Sequence, residues 1–277
     1  MHTDENDYLS RTLAGWTLNV REVVWLWLFL TEREGARLDD CSLNSPTMRN
    51  QIAQYLEYKP RLRDELNDAR ERELLPEVAF GWIEKTGRQP KWLAAETMKK
   101  TGLKLRSSVF RTLSSKPQLI ALFDLWKTDF SRKEGVLHRL SVDWNEHLQT
   151  DKIFIWFKDQ DERVKCSLAW SWLEKNKPEL TRREKPFTRL AELLEFFDHS
   201  GASSGEKELY VEKIKRRWST QKTREKNPDK KQYNFELTNN INAALDKLAQ
   251  DHRLSRTKIL EKLILSETEH RLYLEPQ

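Results

Sequence analysis

Nine lysines and arginines lie between Lys213 and Lys231, against only Glu225 and Asp229. Cations at that density suit the phosphates of a nucleic acid, with an affinity that falls steeply as salt rises. Arg216, Arg217, Lys222, Arg224, Lys226, Lys230 and Lys231 are the candidate phosphate contacts. The run Lys231-Gln-Tyr-Asn-Phe-Glu-Leu237 follows at once. Period-two alternation puts Tyr233, Phe235 and Leu237 on one face of a strand and Gln232, Asn234 and Glu236 on the other. Amide side chains can read adenine edges bidentately, and a carboxylate can accept from cytosine. Gln232, Asn234 and Glu236 are therefore the candidate base contacts; Glu236 is the weakest, because it also repels phosphate. Ser255 stands where it would cap a helix beginning at Arg256. The unpaired N–H groups of that helix end, with the hydroxyls of Ser255 and Thr257, suit a DNA phosphate. The competing reading is an ordinary capped helix in a dimerisation hairpin.

Nothing else in the chain assembles an active site. The histidines are His2, His138, His147, His199, His252 and His270, and none joins a metal-binding spacing. Cys41 and Cys166 are far apart, so neither a disulfide framework nor a cysteine metal site is expected. Cys166 sits in an apolar helical segment and reads as a buried thiol rather than a nucleophile. No glycine-rich phosphate loop is present. Glu77, Glu84 and Glu174 could share a cleft, but no metal set accompanies them. The expectation is a protein without catalytic residues, metal or cofactor.

The formal charge is +5, yet residues 213–231 alone carry +7, so the remainder sums to about −2. The positive charge is local. The N-terminus is acidic and polar, unlike a signal peptide. The most apolar run, Val23–Leu30, is far shorter than the roughly 20 residues that span a bilayer. A reducing cytoplasm and no membrane partner are expected. Eleven tryptophans and only eight glycines in 277 residues point to a helical chain anchored by aromatic side chains.

Helical periodicity marks residues 16–31 as a buried helix. Ser45-Pro46 suits a helix start, and Pro60 a break or bend. Further helices are expected over Leu119–Trp126, Val136–Leu148, residues 187–197 and, as a continuation toward Arg163, Ile153–Phe157. Residues 74–85 and 166–175 align, Phe80 over Trp170 and Trp82 over Trp172, with a proline after each. That similarity hints at a duplicated helical unit. Asp198–Gly205 has the serine and glycine content of a linker. Residues 1–200 are read as a tryptophan-rich helical domain, and residues 206–277 as a basic helix or arm followed by a second domain. Trp218 is read as anchoring the arm to a core, since duplex DNA offers no exposed base face. Asn227-Pro228-Asp229 suits a turn.

Beyond Leu237, Asn239–His252 and Arg256–Glu267 have the apolar spacing of two short helices. Basic arm, strand, helix, turn and helix in that order suit a ribbon-helix-helix fold, which reads DNA with a strand from each of two chains. Tyr233, Phe235, Leu237, Ile241, Leu245, Leu248, Ile259 and Leu263 form its expected dimer core.

The chain resembles the macrodomain Ter organiser proteins of bacteria. The resemblance is carried by Ala169-Trp-Ser-Trp-Leu-Glu-Lys-Asn-Lys-Pro-Glu-Leu180, Ile214-Lys-Arg-Arg-Trp218, Lys230-Lys231, Phe235-Glu-Leu237, Leu248-Ala-Gln250 and Leu254-Ser-Arg-Thr-Lys-Ile259. It implies an N-terminal helical bundle joined to a ribbon-helix-helix domain that dimerises, binds a specific duplex site and organises the replication-terminus region. The chain departs from that pattern in its longer N-terminal region. It ends soon after the second helix: beyond Leu265 only Ser266–Gln277 remains, too little for the family's C-terminal coiled coil.

The expected fold is thus mainly α: helical bundle domains, then a ribbon-helix-helix domain with one short intermolecular β-strand. The expected function is site-specific binding of double-stranded DNA by a homodimer, organising bacterial chromosomal DNA in the nucleoid. The alternatives are a transcriptional or plasmid regulator and a helical protein-interaction platform. In each case residues 1–200 are free to hold a protein partner.

Overall fold

A computed structural model describes residues 7–226 and 233–274. Among the described residues the chain is mainly helical, with fourteen α-helices and no strand. It divides into two compact units, 1–219 and 220–277.

The first unit holds two hydrophobic clusters. One is built by α1 (Tyr8–Thr12), α2 (Val20–Leu28), α3 (Pro46–Glu57), α4 (Pro60–Glu73), α5 (Arg88–Thr101), α6 (Ser108–Thr112), α7 (Ser115–Leu125) and α8 (Phe130–Thr150). Asn19 caps α2 and Glu22 reciprocates, a capping box that starts the helix at Val20 rather than at Trp16. Every residue of Val23–Leu30 is buried, so the most apolar run is core. Ser45 caps α3 with Pro46 in its first turn, and Pro60 opens α4. The Asp129 carboxylate accepts from the Arg132 N–H and starts α8 at Phe130, well before Val136. This core also encloses charge. Arg21 donates to both oxygens of Asp124 at 2.6 and 2.9 Å, and the fully buried Lys133 donates to the Glu73 carbonyl at 2.7 Å. Burial drives the Lys133 amine down to about 8.

The second cluster is built by a 3-10 turn over Asp151–Phe157, α9 (Glu162–Asn176), α10 (Pro178–Thr181), α11 (Leu190–His199) and the first part of α12 (Ser204–Lys226). Arg88, from α5, joins the two clusters. Its guanidinium grips Asp198 at 2.5 and 2.6 Å and also bonds Asp151 and His147. Burial pushes the Asp198 carboxyl up, but the hydrogen bonds from His147 and Arg88 outweigh it and hold the group below the usual carboxylate range.

Two expectations about this unit are corrected. The aligned segments are not equivalent: Glu77–Phe80 is a 3-10 turn followed by an irregular stretch, whereas residues 166–175 lie inside α9. Val78 is exposed whereas its counterpart Leu168 packs against the second cluster, although Phe80 and Trp170 are both buried. The serine-glycine segment is also shorter than a linker. Asp198 and His199 end α11, and Ser204 and Gly205 begin α12. The reason is local: the Ser203 hydroxyl accepts from the Glu206 N–H, and the Glu206 carboxylate accepts from the Ser203 N–H. That capping box starts a helix where composition alone suggests flexibility.

The second unit contains α13 (Asn239–Asp251) and α14 (Arg256–His270). No described helix is long and apolar enough to cross a membrane.

Candidate nucleic-acid interface

The basic residues begin on α12. Tyr210, Val211 and Ile214 are buried in the second cluster, a spacing that fixes one face of the helix. Trp218 continues that face. It meets Trp156 edge-on with ring centroids 6.3 Å apart, and the buried Lys165 amine lies 5.7 Å from its ring. Trp218 therefore anchors the helix, as its sequence context suggests. Lys165 is itself held by the Trp156 carbonyl at 2.9 Å and by Asp159. Helical periodicity then turns Arg216 and Arg217 outward, and both are exposed, as is Arg224 further along.

Surface carboxylates already engage part of this charge. Arg216 pairs with Glu212 one turn back, and Lys222 with Glu225 at 3.4 Å. The Gln221 amide, then Lys222, hold the Glu225 carboxyl below its usual range. Exposed pairs of this kind are screened by water and contribute little to stability. Lys226 closes α12. Its side chain, the turn at Asn227-Pro228-Asp229, and Lys230, Lys231 and Gln232 lie outside the described residues.

Residues 233–238 have no regular secondary structure, so the expected strand is not formed in the single chain. A strand whose ladder comes from a second chain has nothing to pair with in one chain. The rings of Tyr233 and Phe235, two residues apart, stack with centroids 6.2 Å apart and planes 23° apart. Asn234 and Glu236 are exposed, and so are Tyr233 at 69% and Phe235 at 71%.

Of the eight expected dimer-core residues, the single chain buries only Leu245 and Ile259. Tyr233, Phe235, Leu237, Ile241, Leu248 and Leu263 stay exposed. Helical spacing places Ile241, Leu245 and Leu248 along one side of α13, and Ile259 and Leu263 along one side of α14. The two helices thus bury a line of contact between them and leave the rest of their apolar surface open.

The turn between them is tightly specified. Leu254 N–H donates to the Ala249 carbonyl at 3.0 Å and Arg253 N–H to the Gln250 carbonyl at 3.2 Å, the two bonds of a Schellman motif. Arg253 takes the left-handed position, with φ of +50°, where glycine is the favoured residue. Ser255 caps α14, its hydroxyl oxygen accepting from the Lys258 N–H at 3.3 Å. Thr257 is exposed in the first turn. Arg256 reaches back to α13 and clamps both oxygens of Asp246, with Nη2–Oδ2 at 2.5 Å. The α14 N-terminus therefore presents Ser255 and Thr257 to solvent, while the neighbouring guanidinium ties the hairpin together.

Comparison with protein-family models, curated proteins and solved structures gives no match. Among the described residues no group of three His, Cys, Asp or Glu side chains could hold a metal ion. Glu77 lines a cavity with Arg21 and Asp124, and Glu174 lines a different one with Trp170 and Arg182. His147 is occupied by Arg88 and Asp198 and stacks on Trp92 at 4.9 Å. Burial pushes the Cys166 thiol up to about 12, which leaves it inert.

Three features of the site escape sequence reasoning. The Arg256–Asp246 clamp joins residues ten apart on different helices. The Lys165 and Trp156 anchor for Trp218 lies more than fifty residues away in sequence. The Glu267 carboxylate accepts from the N–H groups of Leu272, Tyr273 and Leu274. A left-handed Arg271, with φ of +47°, turns the chain back to meet it, and no residue type there signals the turn.

Proposed function

We propose that the protein is a homodimer that binds a specific site on double-stranded DNA. In this reading, residues 231–237 of two chains pair as an antiparallel ribbon, and α13 and α14 form the ribbon-helix-helix core beneath it. The observation that carries the reading is the apolar surface of the second unit. A two-helix unit leaving Tyr233, Phe235, Ile241 and Leu263 in water is incomplete as a monomer, and a second copy covers those residues. Gln232, Asn234 and Glu236 then face the groove. Arg216, Arg217, Lys222, Arg224, Lys226, Lys230 and Lys231 supply affinity for phosphate, assisted by Ser255 and Thr257.

The resemblance to the macrodomain Ter organisers favours the organisation of chromosomal DNA, with the protein on the nucleoid, over control of single promoters. Recovery and sequencing of genomic fragments bound in cells tests this. Many copies of one palindromic site confined to a chromosomal region are expected. A few sites beside promoters would instead indicate a regulator. Absence of any enriched motif would refute site-specific binding and favour a protein-interaction platform.

A further inference from the structure

The second unit carries apolar surface that the eight core residues do not account for. Beyond α14 the chain turns at Arg271, and residues 272–274 fold back over the end of the helix. Glu267 fastens this hook, accepting from the N–H groups of Leu272 and Tyr273 at 3.1 and 3.0 Å and of Leu274 at 2.7 Å. Hydrogen bonds to a charged acceptor are among the stronger ones, and here they hold backbone that would otherwise keep its conformational freedom. The side chains so displayed are Leu272, Tyr273 and Leu274, which are 59%, 82% and 72% exposed. The fold orders these three residues and buries none of them. Ile264 and Leu265, in the second half of α14, are exposed as well.

We propose that this hook belongs to the self-association surface, with Leu272, Tyr273 and Leu274 packing on a second copy of the chain. The inference rests on the dimer reading above and extends it to residues that the ribbon and the inner faces of the two helices do not require. Area supports a second copy as the occupant. A standard interface takes about 800 Å² from each partner. A large aromatic side chain and two leucines at these exposures offer on the order of 300 Å², and the hook sits on the helix that carries Leu263 and Ile264. Including it brings a unit of this size toward what a stable dimer needs.

The test uses the full chain and sedimentation equilibrium over a broad concentration range. One variant combines Leu272→Ser, Tyr273→Ser and Leu274→Ser, all at exposed positions that leave the monomer core intact. A second, Glu267→Ala, keeps the apolar side chains and releases the hook. Phe235→Ser serves as a control at the ribbon. Each hook variant is expected to raise the dimer dissociation constant at least tenfold. If the parent dimerises, Phe235→Ser weakens it and either hook variant dimerises like the parent, the hook proposal is overturned and the ribbon reading stands. If the parent is monomeric throughout, both fall.

Discussion

Phe235 gives the sharpest check on the proposed ribbon. It is 71% exposed in the single chain. Complete burial of a phenylalanine side chain contributes up to about 3 kcal/mol, so covering the exposed part contributes about 2 kcal/mol. A two-fold dimer contains the residue twice, and Phe235→Ala therefore costs the dimer about 4 kcal/mol. At about 1.4 kcal/mol per decade this is roughly a thousandfold weaker association. The monomer should change little, because its cores lie elsewhere and the Phe235 ring stacks on Tyr233, which is itself exposed. The assay is sedimentation equilibrium of parent and variant from nanomolar to high micromolar concentration, with thermal unfolding of each chain alongside. The expected result is a large shift in the dissociation constant with a nearly unchanged melting temperature for the first unit. Equal association of the two proteins would show that Phe235 is not covered by a second chain, and the ribbon would be wrong.

Charge removal at Arg216, Arg217 and Lys222 together should weaken binding to every duplex and flatten its dependence on salt. Three fewer phosphate contacts reduce the slope of log affinity against log salt by about 2.7, and an unchanged slope measured by filter binding would exclude these residues from the phosphate surface. Arg253→Gly relieves about 1–2 kcal/mol of left-handed strain, partly offset by the extra freedom glycine gives the unfolded chain, and should stabilise the second unit by about 1 kcal/mol; calorimetry showing lower stability would mean that the arginine side chain matters more than the backbone. Lys133 falls from the ordinary lysine value of 10.5 to about 8 on folding. The folded chain then binds fewer protons between pH 8 and 10.5, and this group makes stability rise with pH across that window, by up to about 3 kcal/mol. Lys133→Met should remove that rise from denaturant titrations at about pH 7.5 and pH 10, and a variant with the parent's pH dependence would refute the assignment.

Local pattern alone is enough for much of this architecture. Apolar spacing and capping residues mark α3, α7, α13 and α14 to within a few residues, because a helix is decided by neighbours within one or two turns. Charge density on residues 213–231 and the alternation after it are likewise written in consecutive residues. Ser255 is legible as a cap for the same reason. Where a start signal is short or unusual, as at Ser203 or Asp129, composition points to a linker or a later helix start and the backbone does otherwise.

Long-range packing decides the rest. Similar letters at residues 74–85 and 166–175 become a 3-10 turn in one place and a helix in the other, since packing partners rather than composition select between them. Nothing in the neighbouring letters marks Lys133 or Lys165 as buried, yet Lys133 is held by the Glu73 carbonyl, and Lys165 by the Trp156 carbonyl and the Asp159 carboxylate. Trp218 becomes an anchor only when Trp156 and Lys165 arrive beneath it. The order of chemical groups along a strand or helix follows from covalent geometry, so a sequence carries it directly. Burial depends on which distant surfaces meet, and that is settled only when the chain has folded.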